Sequence, residues 1–284
     1  MLNTDFACEQ LSDADEAILG AARAADALVL PLEAMPVESV ARGALTKGRY
    51  VGTVGSVWPG VGRDWQLYVP AKGQGPFNLI VFQDGLSYLN RTHVVTVLDT
   101  MIDAGTLAPT VALFVEPGDL DGQAEGAKGN RSMEYDSLND AYLRLLVGEL
   151  FPLLLADLPI TMDPERRAIV GMSSGGICAF NAAWERPDLF GLVLSHVGSF
   201  TNIRGGHVYP SRVRGNGRKD IRVFLQAGLG DLDNTIGSWT VANVDMARAL
   251  AYRGYDFRFE LGQGAHNFDH AAATLPQALK WLFR

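Results

Sequence analysis

The sequence predicts an α/β fold, a doubly wound and mostly parallel sheet with an antiparallel strand pair near its amino-terminal end. Three observations carry this reading. Residues 78–82 and 110–115 are short, nearly continuous apolar runs with β-branched side chains, as strands covered on both faces require. Beyond them strand and helix patterns alternate to the carboxyl end, which is the rhythm of βαβ units. The 284 residues are 48% hydrophobic, enough apolar material for the single large core that α/β chains of this length form.

Taken in order, Ser12 is a helix cap with acids in the turn after it, and an alanine-rich helix is expected over residues 12–27. Pro31 and Pro36 break it, so residues 1–44 read as a helical and extended arm and residues 45–284 as the domain proper. Strands over 49–57 and 65–69 flank the turn-rich Trp58-Pro59-Gly60-Val61-Gly62 and form the antiparallel pair. After the two buried strands, leucines at 143, 146, 150 and 154 mark a helix over 138–157. Then follow a strand over 168–171, a helix over 176–185, strands over 192–195 and 221–226, a helix over 243–253, a strand over 256–261 and a last helix over 275–283.

Composition excludes several functions. A net charge of −8 repels phosphate backbones and anionic lipid, which argues against nucleic acid and membrane partners. Two cysteines, Cys8 and Cys178, make no disulfide framework, and no Cys/His group has zinc spacing. Acids crowd the amino terminus where a secretory signal would be basic and then apolar, and no apolar run nears the ~20 residues of a spanning helix. A cytoplasmic protein is expected.

The chemistry centres on Gly171-Met172-Ser173-Ser174-Gly175, a Gly-x-Ser-x-Gly string that is weak alone. Here it follows an apolar strand and opens a helix, the turn that lifts a serine hydroxyl above a sheet. A hydroxyl is a poor nucleophile at neutral pH, so a base and an orienting carboxylate are needed, in the chain order Ser, acid, His. Asp231 is the first carboxylate after strand 221–226, with Asp233 as the alternative and an Asx turn or helix cap as the bland role for either. His266 follows the last strand in a Gly-rich loop. His93, His196, His207 and His270 read as packed or surface groups, and His266 with His270 lacks the Glu of a zinc helix. The Asp-x-Asp-Asn at 231–234 lacks the Gly and Glu of a calcium loop. No metal or other cofactor is needed. Oxyanion donors are expected at the backbone N–H of Ser174 and, after strand 78–82, of Leu86, although Asp84-Gly85 is equally readable as an ordinary turn.

At these residues the sequence resembles the esterase family that includes enterochelin (ferric siderophore) esterases, feruloyl esterases, the esterase D group and the mycolyltransferases. The segments that carry the likeness are 81–86, 130–136, 163–176 and 262–266, within a resemblance that spans 45–284 and is most evident to enterochelin-esterase-like proteins. The resemblance implies an α/β-hydrolase fold without a large separate cap, Ser173 as nucleophile, His266 as base, and Leu86 and Ser174 as oxyanion donors. Because the family's acid varies in position, it supports Asp231 less than Ser173.

Further residues are candidates for substrate binding. Arg131 and Glu134, in an Arg-x-x-Glu-Tyr element resembling the family's, are spaced to pair across a helical turn, the bland role being a structural ion pair. Residues 204–219 hold Arg204, Arg212, Arg214, Arg218 and Lys219, a run of positive charge without an acid before Asp220. It reads either as a solvated loop or as a basic rim that favours an anionic ester, with Arg204 and His207 nearest the strand end. Cys178 reads as core. The expected function is a serine hydrolase acting on a small-molecule carboxylic ester through an acyl-enzyme. Lactone opening or acyl transfer by the same triad is the alternative, and a non-catalytic binding module on this scaffold is disfavoured by an intact Ser, Asp and His. Whether the chain forms a homo-oligomer is left open.

Overall fold

The computed structural model describes residues 29–120 and 130–284, so the helix expected over 12–27 lies outside the described residues. Strands β1 (Ala44–Val51) and β2 (Val61–Val69) pair antiparallel, from Ala44 opposite Val69 to Val51 opposite Gly62. The first is displaced from the expected 49–57, because Gly52 N–H reaches Val61 O and Ser56 N–H reaches Thr53 O, turning the chain at residue 52. There follow β3 (Asn78–Gln83), β4 (Thr110–Val115), the short β5 (Asp119–Leu120), β6 (Arg167–Met172), β7 (Leu192–His196) and β8 (Arg222–Gly230). A two-residue pair, β9 (Asp233–Asn234) with β10 (Gly237–Ser238), precedes β11 (Asp256–Ala265). The main sheet runs β1-β2-β4-β3-β6-β7-β8-β11, parallel from β4 onward, with β5 beside β2.

Successive side chains of the inner strands enter two different cores, as a sheet covered on both faces demands. Leu79, Val81, Ile169, Val193, Val223 and Leu225 pack on one face. Ile80, Phe82, Ala168, Val170, Leu192, Leu194 and Phe224 pack on the other. The second face is closed by α1 (Gly85–Arg91), α2 (Val94–Asp103) and the carboxyl-terminal helix, whose Tyr88, Val97, Leu98, Leu275 and Leu279 are fully buried. The first face takes α3 (Arg131–Tyr135), α4 (Ala141–Leu145), a π turn (Leu146–Leu150), α5 (Phe151–Leu154), α6 (Ser174–Glu185), α7 (Tyr209–Gly215) and α8 (Trp239–Tyr252). The single helix expected over 138–157 is therefore interrupted. Pro152 has no N–H to give Gly148, and the preceding Phe151 N–H reaches back five residues to Leu146 O, which widens that turn.

Two differences bear on the site. The strands expected to end at residues 226 and 261 continue, still paired, to Gly230 opposite Ala265, with an irregularity between Gly262 and Ala265. The final helix, α9 (Phe268–Leu282), starts seven residues earlier than expected, capped by the Asn267 side chain accepting from Asp269 N–H, and it takes Pro276 into its interior. Both changes bring secondary structure up against His266.

Candidate active site

β6 delivers Ser173 to the carboxyl edge of the sheet, and α6 starts at the next residue. Ser173 takes φ 59°, ψ −122°, a backbone state that a side chain disfavours, and its N–H is tied to His196 O of the neighbouring strand at 2.9 Å. Strand and helix approach so closely that a Cβ on Gly171 would lie 2.0 Å from Gly175 O, so only glycine serves there. Ser174 N–H opens α6 beside the Ser173 hydroxyl.

The paired extensions of β8 and β11 place Asp231 and His266 one residue past their ends. His266 Nε2 lies 2.9 Å from Ser173 Oγ, and His266 Nδ1 lies 2.6 Å from Asp231 Oδ1. The Asp231 side chain has no solvent contact, whereas the imidazole keeps 18% exposure, open to an incoming molecule. Asp231 Oδ1 also accepts from the N–H of the next residue, Leu232, which is not the i to i+2 contact of an Asx turn. Asp233 is exposed in β9 and takes no part. Trp239 stands edge-on to the imidazole at 5.6 Å, and its Nε1–H donates to Ser199 Oγ, which in turn lies 3.2 Å from Ser173 Oγ. Neither Trp239 nor Ser199 was singled out from the sequence. Their sole signal is that Ser199 follows β7 at the sheet edge where Ser173 stands.

The loop after β3 is pinned against this turn. Asp84 is left-handed at φ 52°, and its carboxylate receives Arg131 Nε and an Nη, each at 2.7 Å; Arg131 also approaches Met172 O. Arg131 and Glu134 thus do not pair with each other. Glu134 accepts both terminal nitrogens of Arg63, at 2.7 and 3.1 Å, with both side chains out of solvent. Each has a bidentate partner distant in sequence, Asp84 in the loop after β3 for Arg131 and Arg63 of β2 for Glu134, which outbids the looser contact along a five-residue helix. Glu134 is therefore a strut beneath the site and does not face substrate. Leu86 N–H, expected as an oxyanion donor, points to Glu116 Oε1 at 2.7 Å. Burial pushes the Glu116 carboxyl above the usual carboxylate range, the Leu86 N–H and Arg131 opposing and Asp84 and Asp64 adding to the rise.

The basic stretch does not gather into one rim. It leads from the carboxyl end of β7 to the amino end of β8, so its later members necessarily leave the site. Arg212 and Arg214 face Glu185 and Asp245, Arg218 donates to Gly254 O, and Lys219 lies over the Trp184 ring. Arg204 alone turns toward α3, donating to Ser132 Oγ at 3.3 Å, and His207 is exposed. His196 and His270 are buried, bonded to Tyr88 OH and Gln226, and Cys178 is core. Among the described residues no group of His, Cys, Asp and Glu could hold a metal ion, and no helix is long and apolar enough to cross a membrane.

This geometry is matched by sequence. The family model described as "Putative esterase" aligns with residues 59–282, most of the chain. The chain belongs to that esterase family. Among similar proteins are an iron(III) enterobactin esterase of Dickeya dadantii, 26% identical over 219 residues, and an iron(III) salmochelin esterase of Escherichia coli O6:H1, 28% identical over 171 residues. These alignments cover 72% and 59% of the chain but 47% and 39% of the relatives, so the chain spans less than half the length of each. The α/β-hydrolase fold of this chain is shared with solved structures. An enterochelin esterase of Shigella flexneri superposes with a TM-score of 0.71 at 21% identity, over 90% of this chain and 62% of that one. A ferulic acid esterase of the fungus Anaeromyces mucronatus gives 0.70 at 15% identity, over 89% and 96%.

Proposed function

We propose that the chain is a carboxylic-ester hydrolase that works through an acyl-enzyme on Ser173. The observation that carries this is His266, hydrogen-bonded through one ring nitrogen to the Ser173 hydroxyl and through the other to the buried Asp231 carboxylate. Family membership supports the class of reaction. With Nδ1–H held by Asp231, the free lone pair is on Nε2, where it takes the Ser173 proton as Oγ attacks the ester carbonyl carbon. The carbonyl oxygen becomes an oxyanion, stabilised by the N–H of Ser174 and of Leu86. The imidazolium returns its proton to the departing alkoxide as the carbon–oxygen bond breaks. Water, deprotonated by His266, then attacks the acyl-enzyme, releasing the acid and restoring Ser173.

The similar proteins are named for siderophore and ferulic esters, and these define the panel to test. Purified protein is treated with a fluorophosphonate and the labelled peptide is identified. kcat/KM is then compared for nitrophenyl, feruloyl, sugar-acetyl, lactone and catechol-siderophore substrates. Labelling at Ser173 with turnover of one ester class is the expected result. Absence of both labelling and turnover refutes the reading. Arg204, the member of the basic stretch that bonds Ser132 beside Arg131, is proposed to meet the outer part of the substrate. Arg204→Ala is then expected to lower kcat/KM more for an anionic ester than for its neutral analogue.

A further inference from the structure

Glu116 is a half-buried carboxylate that the mechanism above does not use, yet it holds a group the mechanism needs. Its Oε1 lies 2.7 Å from Leu86 N. A tetrahedral oxyanion would have to stand at about 2.7–3.1 Å from the same nitrogen. Two anions do not share one N–H at that range, so Glu116 must leave before the oxyanion forms.

The structure provides somewhere for it to go and a reason for it to be pulled. A cavity of about 480 Å³ adjoins Leu86 and is lined by Lys47, Arg49, Asp64, Gln66 and Glu116. Strand register explains the lining. Arg49 faces Asp64, and Glu116 N–H bonds to Asp64 O, so these three share a row, with Lys47 and Gln66 in the next row of the same sheet face. Among the described residues the cations around Glu116 are engaged elsewhere. Arg131 is held by Asp84, and Arg49 by Asp64 and Asp119. Lys47 is exposed at the outer edge. Among the described residues Glu116 accepts from one backbone N–H, fewer partners than a carboxylate accepts. A charged group brought to the inner end of the cavity would be met there by an under-bonded carboxylate.

We propose that Glu116 is the specificity-determining residue of this site, closing the Leu86 N–H at rest and being drawn off it by a substrate that carries a cation or strong hydrogen-bond donor into the adjoining cavity. The favoured substrates are esters with an ammonium close to the reacting carbonyl, on its acyl or its alcohol side. Binding then forms one charge-assisted contact, from the substrate cation to Glu116, and frees one N–H for the oxyanion. A neutral ester frees the N–H only by exchanging that contact for water at Glu116, with no new charge-assisted partner. The inference rests on the serine-esterase reading.

The experiment compares the full chain with Glu116→Gln and Glu116→Ala on two matched pairs. On the acyl side the nitrophenyl ester of 3-phenylpropanoate is set against that of phenylalanine. On the alcohol side 3,3-dimethylbutyl butyrate is set against butyrylcholine. The wild type is expected to prefer the cationic member of at least one pair by at least about tenfold in kcat/KM, the worth of one charge-assisted contact. In both variants that preference is expected to fall below about threefold while the neutral member is turned over faster. Retained thermal melting of either variant suffices for the comparison, since glutamine keeps the shape and alanine removes the group. Fluorophosphonate labelling of Ser173 in the wild type runs alongside. Labelling without any cation preference, or a preference that survives both substitutions, overturns the role of Glu116 alone. Absence of labelling and turnover in the wild type overturns the esterase reading and this inference with it.

Discussion

In the proposed mechanism two adjacent serines supply different things, one a hydroxyl and the other a backbone N–H. On the esterase reading Ser173→Ala abolishes ester turnover and fluorophosphonate labelling, while Ser174→Ala changes kcat little because the N–H survives. Steady-state kinetics on both variants checks this, and the opposite ranking would move the nucleophile to Ser174. Asp231→Asn is expected to lower kcat by roughly three to four orders of magnitude with the fold retained, since the amide no longer fixes the imidazole tautomer. Asp233→Asn, in the exposed β9, is expected to behave almost as wild type. Equal small losses would mean that the 2.6 Å contact between Asp231 and His266 does not orient the base. Ser173 could be singled out because it directly follows an apolar strand, and Asp231 and His266 because they are the first carboxylate after strand 221–226 and the histidine in the Gly-rich loop after strand 256–261. Glu116 and Ser199 could not, because each matters through a backbone or hydroxyl tens of residues away. No local pattern announces that Leu86 N–H and a carboxylate 30 residues later will meet.

The element that decides the site is the β8 and β11 ribbon. Its final residues were read as loop because Gly228, Gly230, Gly262 and Gly264 look like turn signals. The glycines in fact permit the two strands to crowd. A Cβ on Gly228 would lie 1.9 Å from Gly264 O, backbone that cannot step aside. Gly228→Ala is therefore expected to push the strands apart, destabilising by about 1–3 kcal/mol and separating Asp231 from His266. Denaturant melts and kcat measured together test it, and unchanged values for both would show that the ribbon has slack. The two buried strands at 78 and 110 were legible from composition alone. The displaced β1 and the interrupted helix before β6 were not, since they depend on where Gly52 turns the chain and where Pro152 withholds a hydrogen bond.

Across the whole molecule, two buried histidines link stability to acidity. Burial, with His270 adding to it, holds His196 down at about 3, and burial also lowers His270 below its usual value. Both are neutral in the native protein where the unfolded chain, titrating near 6.5, takes protons. Their contribution to stability is complete above about pH 6.5 and declines as pH falls toward about 3 for His196. Each adds at most about 1.4 kcal/mol per pH unit to the slope in that window. Denaturant melts of wild type and His196→Gln between pH 5 and 7 should show a shallower decline in the variant, and identical slopes would contradict it. A different ledger opens at Ser173, whose φ of 59° is one that glycine accepts and serine resists. Ser173→Gly should melt higher than Ser173→Ala, by a few degrees. On the esterase reading, holding that hydroxyl upright leaves the native protein less durable than an inert glycine variant, and durability is given up at that one residue in exchange for reactivity.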